Sequence, residues 1–342
     1  MQASGFPQAE KTLMVDGVDN CNTDLSVTVQ NNSLSQARSS LHYSNSQYRP
    51  TSKTQISPSK LSVSCASLLP VFSLPSEKSS SFVYRTNGAE RGLCVIFSVD
   101  KFDPILCLPR RTGSLVDVQN IKRAFLSLDF KVIVHSNPSS KTLFSVIQTI
   151  STQNLRDHDC FACVILSHGD EGGLIYSTDG SIPVERIIAP FRGDQCSDLR
   201  GKPKLFFIQA CRGMSLDDGV FVCDGPSSNS KPTDTATAMR RIPIEADLFI
   251  AYAVQPGYYA FRNSMNGSWF IRSLSDALLR YGNTLDLLSI MTRVNYDVAY
   301  EYESTTANPA LCGKKQMPSF VSTLTKHVIF PPKRSKNLSK LM

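Results

Sequence analysis

Apolar and polar positions divide the chain into a polar first quarter and a longer stretch with regular structure. In the longer stretch, short apolar runs of strand type alternate with segments whose apolar residues recur at helical spacing. The strand-type runs cover residues 93–98, 131–135, 160–166, 204–208 and 248–254, and the helical segments cover 118–128, 143–150, 184–191, 269–281 and 285–298. Strands that alternate with helices predict an α/β fold with a mostly parallel sheet and helices on both faces.

Shorter signals complete this outline. Asp179-Gly180 predicts a hairpin turn, and residues 318–323 and 328–330 predict two closing strands. Residues 1–88 are rich in Ser, Asn, Gln and Thr and show no periodicity, which predicts a disordered arm. The polar segment 214–241 is too long for an ordinary connection, so we expect it to be a functional or disordered linker.

Composition narrows the class of protein. The chain has 342 residues, a net charge of +7 and 41% hydrophobic residues, enough for a full core. The basic residues form no stripe interleaved with aromatics, so we expect no nucleic-acid partner, and we interpret the basic tail, residues 333–342, as a solvated end. No apolar segment has the form of a signal peptide or the length of a membrane span. Ten scattered cysteines fit a reducing compartment, so we expect a cytoplasmic protein with no membrane association.

The strongest chemical signal is a cysteine that directly follows an apolar run. Lys204-Leu205-Phe206-Phe207-Ile208 precedes Gln209-Ala210-Cys211-Arg212-Gly213. Ligands and catalytic groups in α/β sheets lie beyond the carboxyl ends of the strands, which places Cys211 at the rim of a cleft. The alternative is a buried, inert thiol, but the polar flanks Gln209 and Arg212 favour a nucleophile that an adjacent base activates.

The candidate base is His168, which follows the apolar run 160–166. If the two strands are neighbours, His168 and Cys211 reach the same rim, and a neutral imidazole can act as general base or acid beside the thiol. A solvated loop histidine is the alternative. Gly169 and the glycines that follow it favour function, because glycine lets a substrate backbone approach closely. The backbone N–H groups of Gly169 and Cys211 would then form an oxyanion hole.

Several separate motifs resemble those of caspases, the cysteine endopeptidases of apoptosis. The Cys211 pentapeptide has the form of the caspase signature, and His168 lies 43 residues upstream, near the family's spacing. Further agreement comes from residues 111–117, 166–169, 191–194, 201–205, 244–247, 256–264 and 267–271. The resemblance runs from Arg91 to about Phe330 and implies a three-layer sandwich around a central, mostly parallel sheet of about six strands. The polar arm has no adaptor-type helical bundle, which makes the effector branch the closer match.

The resemblance also implies roles for individual residues. It assigns the backbone carbonyl of Pro109 to orienting His168, and a pocket for a substrate aspartate to Arg111, Gln209 and Arg262. Arginine suits such a pocket because its planar fork pairs with a carboxylate. The backbone of Arg262 would pair with the substrate strand. The resemblance assigns the second subsite to Tyr259 and Phe261 and the fourth to Asn263 and Trp269, which implies an Asp-x-x-Asp preference.

Some positions depart from the effector pattern. Phe261 stands where a tryptophan is common and Ala260 where a serine is common. Thr305 and Thr306 replace the aromatic residues that effector members place in this loop. These departures imply more permissive outer subsites.

Zymogen processing follows from the same resemblance. We expect removal of the prodomain, residues 1–88, after Asp19 in Asp16-Gly17-Val18-Asp19, and separation of the subunits in the linker after Asp224, with Asp234 as a second site. The large subunit would cover residues 89–224 and the small subunit 242–332. Two copies of each would form a heterotetramer through the last strand. The expected partners are protein substrates, an upstream activating caspase and inhibitor-of-apoptosis proteins, with no cofactor and no metal.

Other interpretations stay open. The chain could be an initiator-type caspase, a catalytically silent homologue that acts as a scaffold, or a relative that cuts after Arg or Lys. The last would need an acidic pocket, whereas the predicted pocket is cationic. Cys160 and Cys163 have a metal-binding spacing, but residues three apart on a strand face opposite sides of the sheet, so chelation is not expected. The tripeptide 192–194 resembles an adhesion motif, but we predict a turn at a helix end.

Overall fold

A six-stranded sheet forms the centre of the folded part that the structure describes. The computed structural model describes residues 82–219 and 243–333. Its strands are β1 Glu90–Ser98, β2 Lys131–Ser136, β3 His158–Leu166, β4 Gly169–Asp170, β5 Leu174–Tyr176, β6 Ser181–Pro183, β7 Lys204–Gln209, β8 Leu248–Tyr252, β9 Arg262–Asn263, β10 Gly267–Ser268 and β11 Ser319–Ser322. Its α-helices are α1 Ser114–Ser127, α2 Ser140–Thr152, α3 Glu185–Ile188, α4 Trp269–Tyr281 and α5 Leu287–Glu301.

The strand order in the central sheet is β11-β8-β7-β3-β1-β2. All neighbours pair in parallel except β11, which runs antiparallel to β8 at one edge. The predicted α/β class with a mostly parallel sheet is therefore confirmed. Because β7 and β8 are neighbours, the part of the chain before the linker and the part after it contribute to one continuous sheet.

Helices cover both faces of the sheet. One core cluster joins alternate sheet residues such as Ile96 and Val164 to helices α1, α4 and α5. A second cluster joins the intervening residues, such as Val95 and Ile165, to α2 and α3. Strands buried on both faces are expected to be continuously apolar, as these are. The three-layer arrangement is confirmed.

Cys160 and Cys163 lie in different core clusters, on opposite faces of β3. The spacing alone would have allowed a metal pair, but the strand separates the two thiols. Burial raises the pKa of Cys160 to about 12, which keeps the thiol protonated and inert. The two thiols therefore face opposite sides of the sheet, as the strand geometry predicts.

Three local predictions need correction. Residues 82–88, assigned to the polar arm, belong to the folded part, because Tyr84 is buried and its hydroxyl donates to Asp247 Oδ1 at 2.6 Å. Residues 328–330 do not form a strand; Val328 and Phe330 instead fill the core as irregular chain. The predicted helix over 184–191 is one turn, α3, followed by a 3-10 turn over Ala189–Phe191. The hairpin at Asp179-Gly180 is confirmed between β5 and β6.

The end of the described chain packs against its beginning. Val83 and His327 form a parallel bridge, and Lys333 donates to the carbonyl oxygens of Thr86 and Gly88 at 3.0 and 2.8 Å. Lys333 Nζ also pairs with Asp159, which forms a buried ion pair with Arg91 at 3.0 Å. These contacts tie the C-terminal residues to strands β1 and β3. None of the helices within the described ranges has the length and apolar character that crossing a membrane requires.

Candidate active site

The two candidate catalytic side chains leave neighbouring parallel strands at the same edge of the sheet. Strands β3 and β7 pair in parallel, with Leu166 opposite Gln209. His168 and Cys211 each follow this pair by two residues, and the backbone N–H of Ser167 donates to the carbonyl of Gln209 at 3.1 Å. The strand neighbourhood on which the predicted Cys–His pair depends is therefore present.

His168 is held by the backbone of another loop. Its Nε2 lies 2.9 Å from the carbonyl oxygen of Pro109, which is the contact that the resemblance assigned to Pro109. The ring also packs against Phe102, with centroids 4.9 Å apart. When the Nε2–H donates to this carbonyl, Nδ1 is the acceptor of the neutral ring. The loop thus selects the tautomer that a general base needs.

Backbone pairing fixes the segment that carries Cys211. Arg212 exchanges backbone hydrogen bonds with residues 257 and 258, of 2.8 and 3.0 Å, and Ser215 forms a parallel bridge with Tyr258. Gly213 allows this close approach, because its φ is +152° and a Cβ would overlap the backbone of Gly257. The half-buried Cys211 Sγ then lies 3.5 Å from the backbone N–H of Ala260.

Gly169 occupies the space beside the thiol residue. A Cβ at this position would overlap the carbonyl oxygen of Cys211 and approach Ala210. The close packing brings the backbone of the histidine loop against the backbone of the cysteine loop. This arrangement suits two N–H groups directed to one oxyanion, and only glycine fits at position 169.

Arg111 is almost completely buried, with 1% of its surface exposed. Its Nη1 donates to the carbonyl of Val99 at 3.1 Å and to Ser114 Oγ at 2.8 Å, and its backbone N–H donates to the carbonyl of Asp100 at 3.0 Å. A guanidinium at this depth has lost its hydration, and these hydrogen bonds replace part of it. The side chain is therefore fixed beside the loop that holds His168.

Arg262 comes from the other half of the chain and meets the same loop. Its Nε donates to the carbonyl of Thr112 at 2.6 Å. Gln209, the third predicted pocket residue, is buried at the end of β7, and its Oε1 has no hydrogen-bond partner within the described part of the chain. Arg262 thus contacts the residue next to Arg111, and Gln209 lies two residues before Cys211 at the end of β7.

Asp117 is a buried acid that the sequence analysis did not assign to the site. It is inaccessible to solvent, and its Oδ1 accepts from the backbone N–H of Ser268 at 2.7 Å. Burial raises its pKa to about 6, while Ser268, Arg111 and Arg262 act in the opposite direction. Asp117 therefore lies close enough to Arg111 and Arg262 for their charges to lower its pKa, although burial outweighs them, and its bond to Ser268 links α1 to the start of α4.

Aromatic rings form a continuous row that includes three of the predicted subsite residues. Tyr259 meets Phe261 edge to face at 5.3 Å, Phe261 stacks on Trp269 at 4.7 Å, and Trp269 stacks on Tyr302 at 5.4 Å. The first three are predicted subsite residues, and they lie together as expected. Tyr302 was not predicted, because it follows the end of α5, far from the others in sequence.

Side-chain amides hold the loop that carries these rings. Gln316 is buried, accepts from the backbone N–H of Phe261 at 2.7 Å and donates to the carbonyl of Ala253 at 2.9 Å. Asn263 Oδ1 accepts from the N–H groups of Met265 and Asn266 at 2.8 and 3.0 Å. The Oδ1 atom of Asn263 is therefore occupied by the turn over residues 263–266, and the group that could bind a ligand is its Nδ2 donor.

The remaining predicted sites lie elsewhere. Asp19, Asp224 and Asp234 fall outside the described residues. Within residues 82–219 and 243–333, no group of three or more His, Cys, Asp and Glu side chains could hold a metal ion. The tripeptide 192–194 forms a turn after a 3-10 helix, and Arg192 pairs with Glu185 and Glu245 at 2.7 Å each.

Comparison with known proteins agrees with this geometry. A family model described as "Caspase domain" matches residues 91–329. Caspase-7 of Gallus gallus is 41% identical over 250 residues, which are 73% of this chain and 80% of that protein. Caspase-3 of Felis catus is 40% identical over 247 residues, which are 72% and 86% of the two chains.

A solved structure shows the same fold. Caspase-1 from Spodoptera frugiperda superimposes with a TM-score of 0.68 and 35% sequence identity, over 74% of this chain and 96% of that one. The residues matched by the family model, 91–329, include His168, Cys211 and every residue of the central sheet except Glu90. The chain belongs to the caspase family of cysteine-type endopeptidases, on the side of the effector caspases.

Proposed function

We propose that this caspase cleaves polypeptides after aspartate, with Arg111, Gln209 and Arg262 as the receptor of the aspartate side chain. The observation that carries the proposal is the convergence of a buried arginine and a second arginine from the other half of the chain on residues 111–112. A pocket of this charge favours a carboxylate and opposes Arg or Lys. The interpretation of this chain as a relative that cuts after Arg or Lys is therefore disfavoured.

The chemistry follows from the placement of the two strand ends. His168 removes the proton of Cys211, and the thiolate attacks the main-chain carbonyl carbon of the substrate aspartate. Backbone N–H groups of Gly169 and Cys211 stabilise the oxyanion. The tetrahedral intermediate collapses, the C–N bond breaks, and the protonated imidazole gives its proton to the leaving amine. Water activated by His168 then attacks the thioester, which releases the acid and regenerates the thiol.

The aromatic row supports a second specificity element. Trp269 is fixed between two rings, and the Nδ2 group of Asn263 is the donor left by its turn. A donor beside an aromatic wall suits an acidic side chain three residues before the aspartate at the cleavage site. This supports an Asp-x-x-Asp preference, and Phe261 contributes with Tyr259 to the second subsite.

The biological role rests on the family. We infer that the chain is a cytoplasmic effector zymogen that executes apoptosis, activated by an upstream caspase and restrained by inhibitor-of-apoptosis proteins. Its own Asp19, Asp224 and Asp234 would be the processing sites, which yields a polar arm, a large subunit, a small subunit and a basic tail. Strand β11 lies at an open edge of the sheet, with Val321 exposed, which supports pairing of two such units there.

Fluorogenic peptides test the proposal directly. Asp-Glu-Val-Asp peptide should be cleaved by the processed wild type and not by Cys211→Ala, and the matched peptide that ends in Asn should not be cleaved. A wild type that is inactive after its linker is cut at Asp224 would instead support the scaffold. Equal cleavage of the Asp and Asn peptides would refute the cationic pocket. Mass spectrometry of active enzyme should show new ends after Asp19 and Asp224, and intact 16–20 or 222–226 peptides would reject the respective site.

A further inference from the structure

Asn137 contacts the start of the loop that carries both Pro109 and Arg111, where this loop leaves β1. The residue follows the end of β2 and has a φ of +51°. Its Oδ1 accepts from the backbone N–H groups of Asp100 and Lys101 at 2.8 and 3.0 Å, and its backbone N–H donates to the carbonyl of Ser98 at 2.7 Å. These bonds fix the backbone where β1 ends.

Asp100 connects Asn137 to Arg110 and Arg111, at the other end of the loop. Its Oδ1 accepts from Asn137 Nδ2 at 2.7 Å, and its Oδ2 pairs with Arg110 Nε at 3.2 Å. Its backbone carbonyl accepts from the N–H of Arg111 at 3.0 Å. The preceding carbonyl, that of Val99, accepts from the guanidinium of Arg111. One short backbone segment therefore contacts Asn137 on one side and the pocket arginine on the other.

The same loop sets the histidine. Pro109 lies immediately before Arg110 and Arg111, and its carbonyl oxygen accepts from His168 Nε2. A shift of the segment at residues 98–101 would move the Pro109 carbonyl, which contacts His168, and the Arg111 side chain, which would bind the substrate aspartate. Displacements of about 1 Å in a catalytic arrangement cost roughly a hundredfold in rate.

We propose that Asn137 and Asp100 are positioning residues for cleavage, which together hold the Pro109 carbonyl against His168 and the Arg111 fork in the substrate pocket. The proposal rests on the function proposed above. An asparagine suits the site for two reasons. It tolerates the left-handed backbone better than most residues, and its amide supplies an acceptor to two N–H groups and a donor to a carboxylate.

Two substitutions separate this role from general stability. Asn137→Gly keeps the backbone conformation accessible and removes only the amide. Asp129→Gly is the matched control at the other end of β2: its φ is +65°, and its Oδ2 accepts from the backbone N–H of Lys333 at 2.9 Å, away from the strand ends that carry the site. Both variants lose side-chain hydrogen bonds to backbone at a left-handed position.

The measurements are kcat, KM, the ratio of cleavage after Asp to cleavage after Glu, and the melting temperature. For Asn137→Gly we expect kcat/KM on the Asp peptide to fall roughly ten- to a hundredfold, with a changed kcat, a changed KM and a lower Asp/Glu ratio. Asp129→Gly should keep kcat/KM and the ratio close to the wild type. If Asn137→Gly lowers the melting temperature as Asp129→Gly does and leaves kcat/KM and the ratio unchanged, the proposal is wrong.

A swapped pair tests the contact itself. Asn137→Asp alone places two carboxylates together and should impair cleavage. Adding Asp100→Asn restores one donor facing one carboxylate, and it should recover most of the lost kcat/KM. Additive losses in the double variant would contradict the proposal. A wild type that does not cleave the Asp peptide would refute the proposed function instead, so the two failures are distinct.

Discussion

Replacing Asp117 by Asn should stabilise the fold at neutral pH. The carboxyl is buried between the N-terminal turn of α1 and the start of α4, and only its Oδ1 has a hydrogen-bond partner within the described residues. Asn keeps the shape and retains an acceptor for the Ser268 N–H. It also removes the negative charge whose burial raises the pKa of Asp117 to about 6.

The size and the sign of this stabilisation follow from the pKa of Asp117. The ordinary value is 3.8, so the folded chain holds the proton more tightly than the unfolded chain. Between about pH 4 and pH 6 the folded state binds more protons, and the free energy of unfolding falls as the pH rises through this window. The difference between the two pKa values corresponds to about 3 kcal/mol. For a folded part of this size that is roughly 6 to 12 °C in melting temperature.

Thermal melts from pH 4 to pH 8 test this pH dependence. The variant and its parent both carry Cys211→Ala to prevent self-cleavage. The stability of Asp117→Asn relative to its parent should grow between pH 4 and pH 6 and then stay constant. Asp198→Asn is the control of opposite sign: the Leu155 N–H lowers the pKa of Asp198, so this variant should be less stable than its parent by a nearly constant amount from pH 4 to pH 8. A stability difference for Asp117→Asn that does not grow with pH would refute the reasoning.

Further substitutions and labels test the site's packing. Gly169→Ala should abolish cleavage, because its Cβ would overlap the carbonyl of Cys211, whereas Gly180→Ala has open space and should retain wild-type kcat/KM. Trp269→Ala should raise KM about tenfold for an Asp-Glu-Val-Asp peptide, through loss of the stacked wall, but not for a dipeptide that lacks the outer residues; equal changes would contradict a subsite role. Iodoacetamide should label Cys211 in step with loss of activity and leave the buried thiol of Cys160 unmodified by mass spectrometry; labelling of Cys160 in the native protein would overturn its assigned burial.

The location of the candidate site was predictable because it depends on strand ends. Apolar runs before His168 and Cys211 identify buried strands, and parallel strands expose their carboxyl ends at one edge. The arrangement of Pro109 against His168 came from the family resemblance, since a backbone carbonyl leaves no mark in the sequence. The aromatic row was predictable in part, because Tyr259, Phe261 and Trp269 lie within one segment.

Other parts depend on contacts between distant segments and could not be predicted. Asp117 lies in a helical first turn, where an acid is ordinarily exposed and favoured by the helix dipole. It is buried because α4 and β10 pack over it. The role of Asn137 depends on the pairing of β1 with β2, which brings its amide to the end of β1. Residues 328–330 are apolar enough for a strand, but they fill the core without a strand partner.

The pairing of β7 with β8 has a consequence for a chain that is broken between residues 219 and 243. Such a break removes one covalent connection and none of the pairings of the central sheet. The two pieces then complement each other as fragments of one domain. Their separation would split the sheet between β8 and β7 and expose the cores on both faces, so dissociation and unfolding would be a single event. Dilution alone would therefore not return such a nicked molecule to two folded parts.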